Sequence, residues 1–175
     1  MTVLPTIDLG LMAEHLSAHE GVINKLLLYE MMVSNAALKG IIILHANVMR
    51  NHVKVMLALI NPHQNGYVEL PHLNEYSMNY YPQVPEEQKV NTNNKWIALE
   101  THNTAKSMSN ENYISALMMK NQNVRNIHAE MALQQFTLQG KYADFIKRMG
   151  WSFVPNASIQ DQINTYQHYQ YMLEQ

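Results

Sequence analysis

Residues 61 to 92 cannot form a helix, and that constrains everything else the chain can do. The segment NPHQNGYVELPHLNEYSMNYYPQVPEEQKVNT carries Pro62, Pro71, Pro82 and Pro85, together with Gly66 and a scatter of asparagine. Each proline removes a backbone donor and clashes with the turn before it. On either side the apolar residues recur at helical spacing. Leu9, Met12, Leu16, Ile23, Leu26, Met31 and Val33 mark a first helix over about 7–34. After Asn35, the residues Leu38, Ile41, Val48, Val55 and Leu59 mark a second over 36–60, stopped by Asn61-Pro62. Beyond the connection, Trp96, Leu99, Tyr113, Leu117 and Met118 mark a third over 93–119. Val124, Ile127, Met131, Leu138, Tyr142, Phe145 and Met149 mark a fourth over 122–149. The third is the poorest in apolar residues, with Asn103, Ser107, Ser109 and Asn110 in its middle.

A shift of 86 residues lays Asn35 on Asn121, Lys39 on Arg125 and Glu14 on Glu100, so the second helical pair repeats the first. A helix of 25 residues is about 37 Å long, and a long link that returns to its start is a crossover. The expectation is an all-α fold: an antiparallel four-helix bundle with the ferritin-like crossover, built from two hairpins joined by connection 61–92. It occupies 1–175 as a single domain and leaves a tail over 150–175.

Composition narrows the function. The 12 lysines and arginines are spread along a chain of net charge −2, which leaves no basic stripe for nucleic acid. There is no cysteine, hence no disulfide, thiolate nucleophile or thiolate metal site. The start, MTVLPTIDLGLMAEH, lacks the basic and apolar regions of a signal peptide, and no run is long enough to span a membrane. No Gly-x-Ser-x-Gly elbow, phosphate-binding glycine loop or dinucleotide fingerprint is present. The reading is non-enzymatic and needs no cofactor. The 13 methionines, Met31-Met32 and Met118-Met119 among them, read as fillers of an irregular core.

Nine histidines are many for this length. His19, His45, His52 and His102 fall in the helical stripes, and equal counting from the turn near Asn35 sets His19 and His52 at one height. With Glu111 and His128 from the second hairpin they form a nitrogen and oxygen set suited to zinc or iron. Carboxylate-bridged metal bundles, however, use Glu-x-x-His pairs on helices. The only such pair, Glu69 with His72, has Pro71 inside it. Hydrogen-bonded core histidines are therefore the first reading, and a metal-binding protein or metalloenzyme using His19, His52, Glu111 and His128 is the alternative.

Gly150 follows Lys147 and Arg148, the signature of a helix stop, and Trp151 and Phe153 are expected to fold back over the bundle end. The tail's Tyr166, Tyr169 and Tyr171, and Tyr80 and Tyr81 in the connection, lie outside the four helices. With Trp151 they are the candidate interaction residues, because such rings give contact area at little entropic cost.

Asn121 to Arg125 reads Asn-x-x-Val-Arg between two helices, Met149 to Pro155 reads Met-Gly-Trp-x-x-x-Pro, and Gln162-Ile163 follows. In these pieces the chain resembles the Coat F family of bacterial spore coat proteins, most firmly over 93–163. The resemblance implies a ferritin-like bundle, made in the mother-cell cytoplasm and deposited in the spore coat, with other coat proteins or copies of itself as partners. It brings no catalytic residues. The lysines, glutamines and tyrosines suggest covalent crosslinking within such a coat.

Overall fold

The computed structural model describes residues 3–64, 66–76 and 93–173. Among them are five α-helices and no strand: α1 (Thr6–Met32), α2 (Ala36–Ile60), α3 (Asn93–Met118), α4 (Gln122–Arg148) and α5 (Ile159–Gln170). Single 3-10 turns lie at Leu73–Glu75 and Tyr171–Leu173. Helices α1 and α2 pack as one hairpin and α3 and α4 as another, with α1 also against α3 and α2 against α4. The result is a helical bundle.

The turns explain why the helices begin where they do. Asn35 is extended at the head of α2, and its side chain accepts from the Leu38 amide. Asn121 does the same for α4, accepting from Asn123 and Val124. Both satisfy donors that a helix start leaves open. The α4 end is a Schellman stop. Trp151 N–H bonds to the Ile146 carbonyl and Gly150 N–H to that of Lys147, each at 3.0 Å, while Gly150 takes a φ of 68° that only glycine adopts without strain.

Two clasps fix how the hairpins sit. Asp8 in the first turn of α1 is fully buried, and its two carboxylate oxygens accept from the amides of Lys120 and Asn121 at 2.8 and 2.7 Å. In the first turn of α3, Asn94 accepts from the Ser34 amide at 3.1 Å and donates to the Ser34 hydroxyl. The 86-residue shift carries Asp8 onto Asn94 and Ser34 onto Lys120, so each hairpin grips the other's turn at an equivalent position. Helix α1 therefore starts beside the α3–α4 turn and ends beside the start of α3. The chain leaves α2 at one end of the bundle and enters α3 at the other, which accounts for the length of connection 61–92. Its described part follows α2 and α4. The Val68 amide donates to Asn123, Gln134 donates to the Pro71 carbonyl, and Tyr76 takes a hydrogen bond from Asn51.

Apolar packing forms two clusters. One, around Leu26, Leu38, Ile42, Leu138, Tyr142 and Phe145, lies toward the α1–α2 turn. The other, around Met12, Val55, Met56, Val124, Ile127 and Met131, lies toward the α3–α4 turn and is covered by Val68 and Leu70. Several expectations need correction. Leu9 and Met31 of the first row and Met149 of the fourth are exposed. The apolar row read for helix three is not its buried face: Trp96, Leu99, Tyr113, Leu117 and Met118 are all exposed. The inner face is Ile97, Ala98, Thr101, Ala105, Met108, Asn112 and Ser115, mostly small or polar residues. At the α4 end, Trp151 does pack edge-on against Phe145, with ring centroids 5.8 Å apart, but Phe153 is 90% exposed.

Candidate functional site

The waist between the two apolar clusters is lined with histidine. Helix α1 presents His15 and His19 one turn apart, α2 presents His45 and His52 two turns apart, and α4 presents His128; all five are buried. The rings form a chain. Centroids of His128 and His15 are 5.3 Å apart, those of His15 and His19 6.3 Å, and those of His19 and His52 5.7 Å. His45 stands apart against Tyr142 at 5.8 Å.

Each ring engages one nitrogen and leaves the other without a protein partner. His19 Nδ1 donates to the His15 carbonyl at 2.7 Å, and His128 Nδ1 to that of Val124 at 2.9 Å. His52 Nε2 donates to Gln134 Oε1 at 3.0 Å. His15 Nε2 meets Ser115 Oγ at 2.8 Å and His45 Nδ1 meets the Tyr142 hydroxyl at 3.2 Å. Among the described residues His15 Nδ1, His19 Nε2, His45 Nε2, His52 Nδ1 and His128 Nε2 are buried and unpartnered, as are Asn112 Oδ1 and Gln135 Oε1. An unpartnered buried polar atom typically costs about 1–3 kcal/mol; four of these seven lie in two facing pairs, His15 with Asn112 and His45 with Gln135, and the nitrogens of His19, His52 and His128 are the ones that mark this interior as unlike an ordinary core.

Burial governs the protonation of these rings, because a charged imidazolium would lose its hydration there. It lowers His19 and His128 to about 4, with the neighbouring histidines pushing the same way and a backbone hydrogen bond opposing. It lowers His45 and His52 to about 3, opposed by Gln135 and Gln134 respectively. His15 is also lowered by burial, though Glu111, Asn112 and Glu14 resist the shift. At neutral pH the waist is a set of uncharged imidazoles; the free nitrogens of His15 and His45 have the Asn112 and Gln135 oxygens beside them, and those of His19, His52 and His128 meet no protein donor or acceptor among the described residues.

Of the four residues expected to meet here, His19, His52 and His128 do reach this interior. Glu111 does not: it is exposed on the outer side of α3 and acts on His15 only through its charge. His15 completes the ring chain and was not among the expected residues, although its spacing of four from His19 in EHLSAHE puts the two on one helical face. His102 lies outside the cluster, taking a 2.6 Å hydrogen bond from Gln139, in a surface groove of about 530 Å³ lined also by Tyr113 and Phe136. Among the described residues, no three histidine, aspartate or glutamate side chains are arranged to hold a metal ion.

The expected interaction residues fare differently. Trp151 is half-buried on Phe145. Tyr166, Tyr169 and Tyr171 are exposed, as is every residue from 152 to 173. Tyr80 and Tyr81 lie outside the described residues. Among those described, no helix is long and apolar enough to cross a membrane. Comparison of the chain with protein-family models, with curated proteins and with solved structures finds no match.

Proposed function

We propose that this chain is a structural and interaction component of a bacterial spore coat, a ferritin-like bundle that joins a protein shell through surfaces it leaves uncovered. The observation that carries the reading is the C-terminal arm. Helix α5 starts on a cap from Ser158, whose hydroxyl accepts from the Asp161 amide, and it turns Ile159, Ile163 and Tyr166 to one side at helical spacing. None of its residues is buried. Leu173 beyond it is 85% exposed and Ile159 77%. An amphipathic helix whose apolar side no described residue covers has the form of a docking element, and covering each such side chain is worth about 1.5–3 kcal/mol. On the bundle itself Tyr113, Leu117, Leu133 and Phe136 add exposed apolar surface.

The spore coat enters through the sequence resemblance, whose pieces have structural duties in this fold: Asn121 caps α4, and Met149 to Trp151 form its stop. Partners would be other coat proteins or further copies of the chain. Sedimentation over a concentration series tests self-association, with purified coat proteins added to test capture. The full chain is expected to assemble or be captured, and a chain ending at Val154 is expected to do neither. Strictly monomeric full-length protein that binds no coat component would overturn the proposal, as would a fluorescent fusion that stays out of the coat during sporulation.

A further inference from the structure

We propose that the bundle interior takes up one divalent transition-metal ion, shared by His19 Nε2 and His52 Nδ1 and completed by the adjoining rings of His15 and His128.

Hydrogen bonding sets which nitrogens can act as ligands. A carbonyl oxygen only accepts, so the Nδ1 atoms of His19 and His128, bonded to the His15 and Val124 carbonyls, must carry the proton of the neutral ring. Their Nε2 atoms are then bare lone pairs. Gln134 is oriented by its own donation to Pro71, so its oxygen faces His52 Nε2 and His52 Nδ1 is bare as well. His45 is different. Its free nitrogen lies beside Gln135, whose oxygen is equally unpartnered, and a small rotation lets the two satisfy each other. The nitrogens of His19, His52 and His128 have no such remedy, since acceptors cannot pair with acceptors. What they lack is a Lewis acid or a donor from outside the protein.

The arrangement behind the rings favours the Lewis acid. Metal-binding histidines usually donate their second N–H to a backbone carbonyl or a similar acceptor, which fixes tautomer and aim. His19, His128 and His52 already have that support. Two imidazoles sharing a tetrahedral ion, with bonds of about 2.0–2.1 Å, place their ring centroids about 5 Å apart. The neighbouring pairs along the chain of rings are at 5.3, 6.3 and 5.7 Å. No three ligands converge in the geometry of the described residues, so loading draws the free nitrogens together by small side-chain adjustments in which each ring keeps its supporting hydrogen bond. A donor set of imidazole nitrogens, with no carboxylate or thiolate, suits zinc, copper or nickel and not magnesium or calcium. Asp8, Glu14 and Glu111 supply negative charge around it.

The repeat supplies the independent argument. At the positions related by 86 residues, Thr101 stands for His15, Ala105 for His19, Leu138 for His52 and Ile42 for His128, and Ile42, Thr101, Ala105 and Leu138 are all fully buried. The frame therefore accepts ordinary core residues at these places and does not itself call for histidine.

The test uses the full chain stripped with chelator and titrated with Zn2+ by calorimetry and with Co2+ by visible absorption. One equivalent is expected to bind, with the intense absorption of tetrahedral nitrogen coordination and a rise in the unfolding temperature. His19→Ala and His52→Leu, which borrow the residues of the equivalent positions, are expected to weaken binding by more than about a hundredfold, beyond the usual effect of outer-shell partners. Replacing the exposed His63 and His168 should change nothing. Absence of binding by the native chain overturns the proposal and leaves water as the occupant; so does binding that survives the two interior substitutions. Should those variants fail to fold, the Co2+ spectrum of the native chain decides, because a weak six-coordinate spectrum rules the site out.

Discussion

The two hairpins share a frame and differ in what they enclose. Their turns are gripped by equivalent residues, Asp8 on Lys120 and Asn121 in one case and Asn94 on Ser34 in the other, and their second helices begin on equivalent asparagine caps. Inside, the first hairpin buries four histidines, whereas the second buries Thr101, Ala105, Met131 and Leu138 at the same places and a lone histidine, His128. The difference separates two kinds of polar residue. Those at the turns satisfy backbone groups that the fold exposes and are needed for it. Those at the waist leave nitrogens unpartnered and replace residues that the sister hairpin shows to be sufficient.

The largest effect that tests this contrast is acid sensitivity. In the folded chain His19 and His128 are held at about 4 and His45 and His52 at about 3, against an ordinary value of 6.5. As pH falls below about 6.5 the unfolded chain takes up protons that the folded chain refuses. Stability is therefore intact above that pH and declines as pH falls, down to about 4 for the share of His19 and His128 and to about 3 for that of His45 and His52. Each histidine contributes at most about 1.4 kcal/mol per pH unit, so the group together removes several kcal/mol per unit near pH 5. Urea unfolding at a series of pH values measures the slope. A variant carrying His19→Ala, His45→Met and His52→Leu, the residues of the sister hairpin, should flatten it markedly. An unchanged slope would show that the acid response arises elsewhere.

The clasps come next. Asp8 is fully buried and charged, and hydrogen bonds to charged groups are each worth about 1.5–3 kcal/mol. Asp8→Ala is expected to destabilise by about 3 kcal/mol or more in chemical denaturation. Asn94 makes neutral, exposed bonds, and Asn94→Ala should lose about 1 kcal/mol or less. Equal losses would mean that burial and charge do not distinguish the two grips.

Much of this frame was legible in the chain. The stripes of α2 and α4 are clean because both helices bury large apolar residues, and the 86-residue repeat pairs Asn35 with Asn121, whose capping role shows only in the structure. Helix α3 was placed but turned the wrong way, because its inner face is built from Ala98, Thr101, Ala105, Asn112 and Ser115 while its outer face carries Trp96, Leu99 and Tyr113. Counting from the turn gives the height of a residue on its helix but not its face, and so Glu111 was set inside. Helix α5 is hidden in the sequence because close tyrosine spacing masks the row Ile159, Ile163 and Tyr166, though the Ser158 and Asp161 pair marks its start. His19, His52 and His128 were brought together by register alone. The signal for His15 is its spacing of four from His19, which counting from the turn near Asn35 does not use.

The smallest effect examines the frame itself. Asn35→Ala and Asn121→Ala should each destabilise by about 1 kcal/mol, because the first removes the acceptor of the Leu38 amide and the second that of the Asn123 and Val124 amides. Aspartate or serine at either position should retain most of the stability, because each keeps an oxygen for the helix start. The two caps lie at opposite ends of a bundle whose helices are about 37 Å long. Effects at that distance add when they are independent. Denaturation of both single variants and the double variant therefore reads the coupling between the hairpins directly: a sum within about 0.5 kcal/mol identifies two separate anchors. A clear departure would mean that the turns communicate through the waist, and the unpartnered histidines between them would be the first place to look for the link.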